Sequence, residues 1–292
     1  MADRKWDGTT YGNSLMHHYL IKLLKYIDIR IVYIFTYIFV IPPCLFRSGF
    51  KPIYHYFRER WGYGPIKALL KTYQNHCMFS QVVIDRFAMY AGKHFKVEID
   101  GLEHFQNLTL QEPAFVQLSS HIGNYEVAGY TLTSYDKPIN AVVFYGEKQT
   151  VMENRMDMFA GKNIRMIYVK KDMGHLFLID HALQQGEIVS MPADRIFGSQ
   201  KSVSTKLLGS EVKLPLGPFS VATMRGLHVI AVNVMKSTTN SYKIYVTPLD
   251  YDREAPRKHQ INQLVQGYAA ELERILTMYP TQWYNYFEYW KS

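Results

Sequence analysis

Ser119-Ser120-His121-Ile122-Gly123-Asn124-Tyr125-Glu126 is the stretch on which the reading of the chain turns. Before it, Pro113-Ala114-Phe115-Val116-Gln117-Leu118 is a short apolar run with the character of a buried strand. After it, Val127, Ala128 and Tyr130 open a helix for which Asn124 is the expected N-cap. A strand that ends in polar residues and turns into a helix is where open α/β sheets hold their ligands. On one continuous helix His121 and Glu126 would point about 140° apart. With His121 in the turn and Glu126 in the first helical turn, the carboxylate is expected to reach back to the imidazole. Such a partner fixes the ring tautomer and supports the imidazolium that forms when the other nitrogen takes a proton. The pair therefore reads as a general base and its orienting acid, suited to deprotonating a hydroxyl or an amine. A His five residues before a Glu also arises by chance, so the rest of the chain has to agree.

Outward from this turn the pattern alternates. Strand candidates are Phe95–Ile99, Ala114–Leu118, Ile139–Phe144, Ile164–Val169, Ile188–Met191, Val229–Met235 and Tyr242–Val246. Helical candidates are Glu126–Ser134, Val151–Ala160, Gly174–Gln185 and Phe219–Arg225. This order predicts an α/β domain, a central mixed sheet covered by helices. A last helix is expected over Gln260–Met278, ended by Pro280. The aromatic tail Trp283-Tyr284-Asn285-Tyr286-Phe287-Glu288-Tyr289-Trp290 is expected to pack on the domain in preference to a second membrane contact.

Toward the N-terminus the composition changes. Ile31 to Phe46 carries no charge and is bounded by Arg30 and Arg47. As a helix it would span about 24 Å, short of the roughly 30 Å hydrocarbon core, and Pro42-Pro43 is expected to stop it sooner. Lys22, Lys25, Arg30, Arg47 and Lys51 surround it, and tyrosines sit among its aliphatics. A monotopic or re-entrant membrane anchor fits this better than a full crossing, a signal peptide or an ordinary core helix. Residues 1–50 are read as a tail and hydrophobic anchor, and residues 51–292 as one folded domain.

The net charge of the 292 residues is +8. Residues 1–100 hold 14 Lys/Arg against 7 Asp/Glu, and the remainder 19 against 18, so the basic third is the N-terminal one. That bias points to an anionic partner, a membrane surface or nucleic acid. Residues 51–92 mix basic and aromatic side chains at helical spacing but match no nucleic-acid motif, and read as helix packing with a solvated or membrane-facing basic face. Cys44 and Cys77 are too few for a disulfide framework and fit a reducing compartment. The histidines show no metal spacing, and neither a Walker loop nor a GxGxxG turn is present, so no metal and no cofactor are expected.

The order of motifs resembles the lipid A late-acyltransferase branch of the lysophospholipid acyltransferase superfamily. His121-x4-Glu126 is similar to its histidine–acid block in the Glu form. Ala141-Val142-Val143-Phe144-Tyr145 with Asn154-Arg155 resembles the second block. Ala182-Leu183-Gln184-Gln185-Gly186-Glu187-Ile188-Val189, running into Pro192-Ala193-Asp194-Arg195, resembles the third. Pro215-Leu216-Gly217-Pro218-Phe219-Ser220, Val229-Ile230-Ala231-Val232 and Tyr279-Pro280-Thr281-Gln282-Trp283 continue the likeness almost to the last residue. The departures are Gly146-Glu147-Lys148 after Tyr145, an acidic third block reduced to Asp194-Arg195, and Phe287-Glu288-Tyr289 where the enterobacterial enzymes carry His-Arg-Arg.

The resemblance implies acyl transfer from acyl-carrier protein or acyl-CoA to a hydroxyl of a lipid acceptor, a lipid A precursor or related glycolipid. It implies a site on the cytoplasmic face of the bacterial inner membrane. His121 would be the base and Glu126 its partner; Asn124 would shape the turn. Arg155, Arg165, Asp194 and Arg195 are expected at the acceptor headgroup or donor phosphates, since guanidinium pairs bidentately with phosphate. Two other readings stay open: an N-acyltransferase making an amino-acid lipid, and a catalytically silent membrane-peripheral binding protein. A lipid hydrolase is disfavoured by the lack of a GxSxG elbow.

Overall fold

Phe115, Val116, Gln117 and Leu118 are buried on both faces of their strand, a pattern tolerated only where helices cover the sheet on both sides. This strand, β2 (Phe115–Ser119), lies at the middle of a seven-stranded sheet. The others are β1 (Lys96–Asp100), β3 (Ile139–Phe144), β4 (Ile164–Val169), β5 (Ile188–Pro192), β8 (His228–Thr238) and β9 (Ser241–Pro248). Their order is β1-β9-β8-β2-β5-β3-β4, parallel throughout except that β8 and β9 form an antiparallel pair. The sheet is thus mixed, as expected. The computed structural model describes residues 14–44, 49–134, 136–144, 149–159, 161–169, 173–196 and 201–291. The expectations at Arg47 and at Tyr145-Gly146-Glu147-Lys148 lie outside the described residues.

Alternate residues of the strands feed two core layers. Val116, Leu118, Val189 and Ala231 point to one side, against α9 (Gly174–Gln184), α10 (Leu216–Met224) and α11 (Arg257–Met278). Phe115, Ile188, Ile230 and Val232 point to the other, against Met89 of α5 (Pro65–Tyr90), Phe105 of α6 (Leu102–Gln111) and Ala128 of α7 (Ala128–Thr131). The aromatic tail packs on the domain: Trp283, Tyr284 and Tyr289 are buried, and Asn75 of α5 donates to the carbonyls of Thr281 (3.0 Å) and Trp283 (2.8 Å).

Helix α6 and the hairpin β6 (Ser202–Leu207)–β7 (Ser210–Pro215) are absent from the sequence reading. Only Phe105 of α6 is fully buried, with Leu102 and Leu108 half-buried on the same face, a stripe of three apolar residues too short to announce a helix by itself. The hairpin turns at Leu208 and Gly209, both at positive φ (49° and 74°), the backbone of a two-residue turn matched to strand twist.

The N-terminal segment is helical in α1 (Ser14–Tyr26), α2 (Ile29–Phe35) and α3 (Ile41–Cys44), with a π-helical turn at Thr36–Val40 between the last two, and α4 (Phe50–His55) leads on toward α5. Pro42-Pro43 does not stop the helix where expected. A proline ring clashes with the carbonyl four residues back, and for these two prolines that carbonyl belongs to Ile38 and Phe39, inside the wider π turn. Leu24, Ile29 and Tyr33 pack on Ile84, Phe87 and Ala88 of α5. Ile31, Ile34, Phe35, Ile38 and Phe39 form a helical stripe that remains exposed, which a core helix would not leave. No helix among the described residues is long and apolar enough to cross a membrane.

Candidate active site

His121 leaves the C-terminal end of β2 in a turn tied down on every side. The Ser119 carbonyl accepts from the Tyr268 hydroxyl (2.7 Å) and the Ala193 N–H (3.0 Å). Ser120 Oγ donates to Asn233 (3.0 Å), and the N–H groups of Gly123 and Asn124 donate to the carbonyls of Gln282 and Val234, both at 2.8 Å. Gly123 has φ +65°, and a Cβ there would lie 1.9 Å from the Val234 carbonyl oxygen, so only glycine lets the turn approach β8 this closely.

The carboxylate on the imidazole belongs to Asp194. β2 and β5 are parallel neighbours with Ser119 opposite Pro192, so two residues further along each strand His121 meets Asp194. Asp194 Oδ1 lies 2.8 Å from His121 Nδ1, and Oδ2 accepts the His121 backbone N–H at 2.9 Å. Asp194 is wholly buried, whereas 32% of the imidazole surface stays accessible, which leaves Nε2 as the nitrogen available to a substrate. Burial would raise the Asp194 carboxyl, but the charge and hydrogen bond of His121, with Arg195, hold it below the usual carboxylate range. Desolvation and then the Arg195 charge push His121 below its usual value, against the opposing pull of Asp194. The imidazole is therefore neutral at neutral pH, the form a base requires.

The expectation that Glu126 reaches back to His121 is not met. Ile122, Gly123 and Asn124 are drawn out to bridge the tail and β8, and Glu126 falls in the 3-10 turn Tyr125–Val127 with its carboxylate toward α5 and α8 (Gln149–Phe159). It pairs with Arg155 and with Arg86 (3.0 Å) and accepts from Tyr90 (3.3 Å). Burial would raise its pKa, but the Arg155 and Arg86 charges lower it, so the group is ionised and joins three elements. Arg86 and Tyr90 were not singled out in the sequence; the charged pair Asp85-Arg86 inside the otherwise apolar stretch Val82–Met89 was the available signal.

Asn124 occupies the N-cap position without a side-chain cap bond; its Nδ2 donates instead to the Tyr242 hydroxyl at 3.2 Å. Tyr242, Tyr33 and Lys236 all bond the buried Asp85 carboxylate, and Lys236 also donates to Tyr33 (3.2 Å). Burial raises the Asp85 carboxyl and lowers the Lys236 ammonium, with their mutual attraction opposing both shifts. This cluster links α2, α5, β8 and β9 to the His121 turn.

Arg195 lies beside the dyad, donating to Asn285 Oδ1 (2.6 Å) and the Tyr284 carbonyl (2.8 Å). The guanidinium of Arg155 is engaged by Glu126. Arg165 is not brought to the site: it sits near the start of β4, the opposite end of the sheet, exposed and paired with Glu187 at 2.7 Å. Among the described residues no three His, Cys, Asp or Glu side chains are grouped so as to hold a metal ion.

The model of the bacterial lipid A biosynthesis acyltransferases matches residues 80–292. The crystal structure of the 1-acyl-sn-glycerophosphate acyltransferase PlsC from Thermotoga maritima is similar over 92% of this chain and 98% of that one, at 14% identity and a TM-score of 0.39. No curated protein sequence matches the chain. The family match spans the dyad, the Glu126 cluster and every strand of the sheet, and on it the chain belongs to the bacterial lipid A biosynthesis acyltransferase family.

Proposed function

We propose that the protein moves a fatty acyl chain from the thioester of acyl-carrier protein or acyl-CoA to a hydroxyl of a membrane glycolipid, a lipid A precursor or a close relative. The observation that carries this reading is the His121–Asp194 pair, whose Nε2 is left open at the C-terminal end of the central strand in an acyltransferase family member. Neutral His121 takes the proton of the acceptor hydroxyl at Nε2 while that oxygen attacks the thioester carbonyl carbon. Asp194 supports the imidazolium that results. The tetrahedral intermediate then breaks its C–S bond, and the thiol leaves with the proton returned from Nε2. The products are an ester and a free thiol, with no covalent enzyme intermediate. The N–H groups of His121, Gly123 and Asn124 are donated within the protein, so stabilisation of the developing oxyanion is assigned to the charge of Arg195, which acts on His121 while its own N–H groups hold Asn285 and Tyr284.

The exposed stripe from Ile31 to Phe39, with Lys22, Lys25, Arg30 and Lys51 around it, supports work on a membrane surface, assigned here to the cytoplasmic face of the bacterial inner membrane. The test incubates detergent-solubilised wild type and His121→Ala with labelled acyl-carrier protein or acyl-CoA and a bacterial lipid extract, and reads new lipids by mass spectrometry. One lipid class gains one acyl chain with wild type only. A product stable to mild base would be an amide and would move the reading to N-acylation; equal product from both proteins would remove His121 as the base. No transfer from either donor would favour a silent binding protein.

A further inference from the structure

A second feature lies apart from the dyad, where the N-terminal helices meet the β1 edge of the sheet. Asp28, Ile29 and Arg30 from the link between α1 and α2, Lys93, His94 and Phe95 from the loop before β1, and Asn240 from the β8–β9 hairpin line an open cavity of about 360 Å³. Lys96 of β1 stands opposite Ser241 of β9, directly after that hairpin, so the cavity opens at the same end of the sheet as His121. None of its residues belongs to the dyad or to the Glu126 cluster.

The lining is amphipathic. Among the described residues, neither the Arg30 guanidinium nor the Lys93 ammonium makes an ion pair with a carboxylate. The single carboxylate facing them, Asp28, accepts the Arg30 backbone N–H at 2.9 Å. Ile29 and Phe95 supply apolar wall. Beside the opening, Tyr26 is 82% and Ile31 61% exposed, and the apolar stripe of α2 starts there. Two unneutralised cations and an imidazole at the border of an exposed apolar helix suit a group with one anionic end and an adjoining hydrocarbon part.

We propose that this cavity binds the phosphate of an anionic membrane phospholipid, whose acyl chains lie along the exposed stripe of α2 and thereby orient the N-terminal helices on the bilayer. This rests on the membrane-surface part of the function proposed above. It adds a lipid site distinct from the one at which chemistry occurs.

The test measures sedimentation of the full chain with phosphatidylcholine vesicles, with and without phosphatidylglycerol, at low salt. Wild type is compared with R30A/K93A, with D28N, and with K206A/K213A, which removes two exposed lysines on the β6–β7 hairpin. The expected result is tighter binding of wild type when phosphatidylglycerol is present. R30A/K93A should lose about tenfold to thirtyfold of that gain, given roughly 1 kcal/mol for each cation near an anionic surface, with binding to neutral vesicles unchanged. D28N, which keeps the N-cap acceptor and removes the one negative charge, should bind phosphatidylglycerol vesicles more tightly, a gain that misfolding would not produce. Equal losses in R30A/K93A and K206A/K213A would mean diffuse attraction and overturn the site. Binding of wild type to both vesicles with no preference would overturn the site alone, whereas binding to neither would also remove the membrane reading on which it rests.

Discussion

Exchanging Asp194→Asn against Glu126→Gln separates the two acids that the motif and the structure offer to His121. Asp194 accepts twice from one residue, at Oδ1 from the ring and at Oδ2 from the backbone N–H. Asparagine has one acceptor, so one of those positions must face its NH2. If the NH2 meets Nδ1, the imidazole has to present its lone pair there, its proton moves to Nε2, and the base is lost. Loss of a general base with its orienting charge costs on the order of 10²–10⁴ in kcat, or about 3–5 kcal/mol of transition-state stabilisation. Glu126→Gln acts elsewhere. It leaves Arg155 and Arg86, 9% and 12% exposed, without their shared counter-charge. Stranding buried charge costs about 3–5 kcal/mol of stability, a drop in Tm on the order of 10 °C for a chain of this size. Turnover per folded molecule should stay within about tenfold. The assay is acyl transfer at saturating donor, normalised to folded protein, beside thermal melting. A Glu126→Gln protein that melts like wild type and is inactive, next to an active Asp194→Asn, would refute the assignment.

Other outcomes follow from the same geometry. Because desolvation and Arg195 depress the His121 pKa, kcat/KM should rise with pH through an apparent value below the about 6.5 of a free imidazole; a midpoint above that refutes a neutral, desolvated base. On acidification stability should fall in two stages read by urea titration. His121 has a folded pKa below its unfolded one, so protonation opposes the fold from about pH 6.5 downward. Glu126 and Asp194 are also depressed; their contribution is complete above about pH 4 and is lost as pH falls through their folded values. Gly123→Ala places a Cβ against the Val234 carbonyl at φ +65° and should destabilise by more than about 2 kcal/mol in the same titration. Tyr242→Phe removes one bond to Asp85 and the acceptor of Asn124, and should lower stability by about 1–3 kcal/mol, visible as a lower Tm.

The parts legible in the sequence are those that depend on short-range periodicity. Ile139–Phe144 and Ile164–Val169 fall where their apolar runs place them, and the polar end of β2 marks the turn that carries His121. α6 and the β6–β7 hairpin escaped because each is short and buries only about three apolar side chains, Leu102, Phe105 and Leu108 in one and Leu207, Val212 and Leu214 in the other, too few to stand out from the polar residues between them. The Pro42-Pro43 helix stop failed because the backbone widens into a π turn just ahead of it, a compensation no propensity encodes.

The site itself divides the same way. That His121 stands at a strand end beside acidic groups follows from local spacing, and Asp194-Arg195 were visible as residues following another strand. Which acid meets the imidazole was decided by register between two strands far apart in the chain: Ser119 against Pro192 sets His121 against Asp194. Tertiary packing also carried Glu126 to Arg86 and Arg155 and put Arg165 at the far end of the sheet. Sequence spacing determines which residues share a turn or a face, because backbone geometry is local. Which of several carboxylates reaches a given imbalance of charge is fixed by distances across the sheet, and only the folded chain sets those.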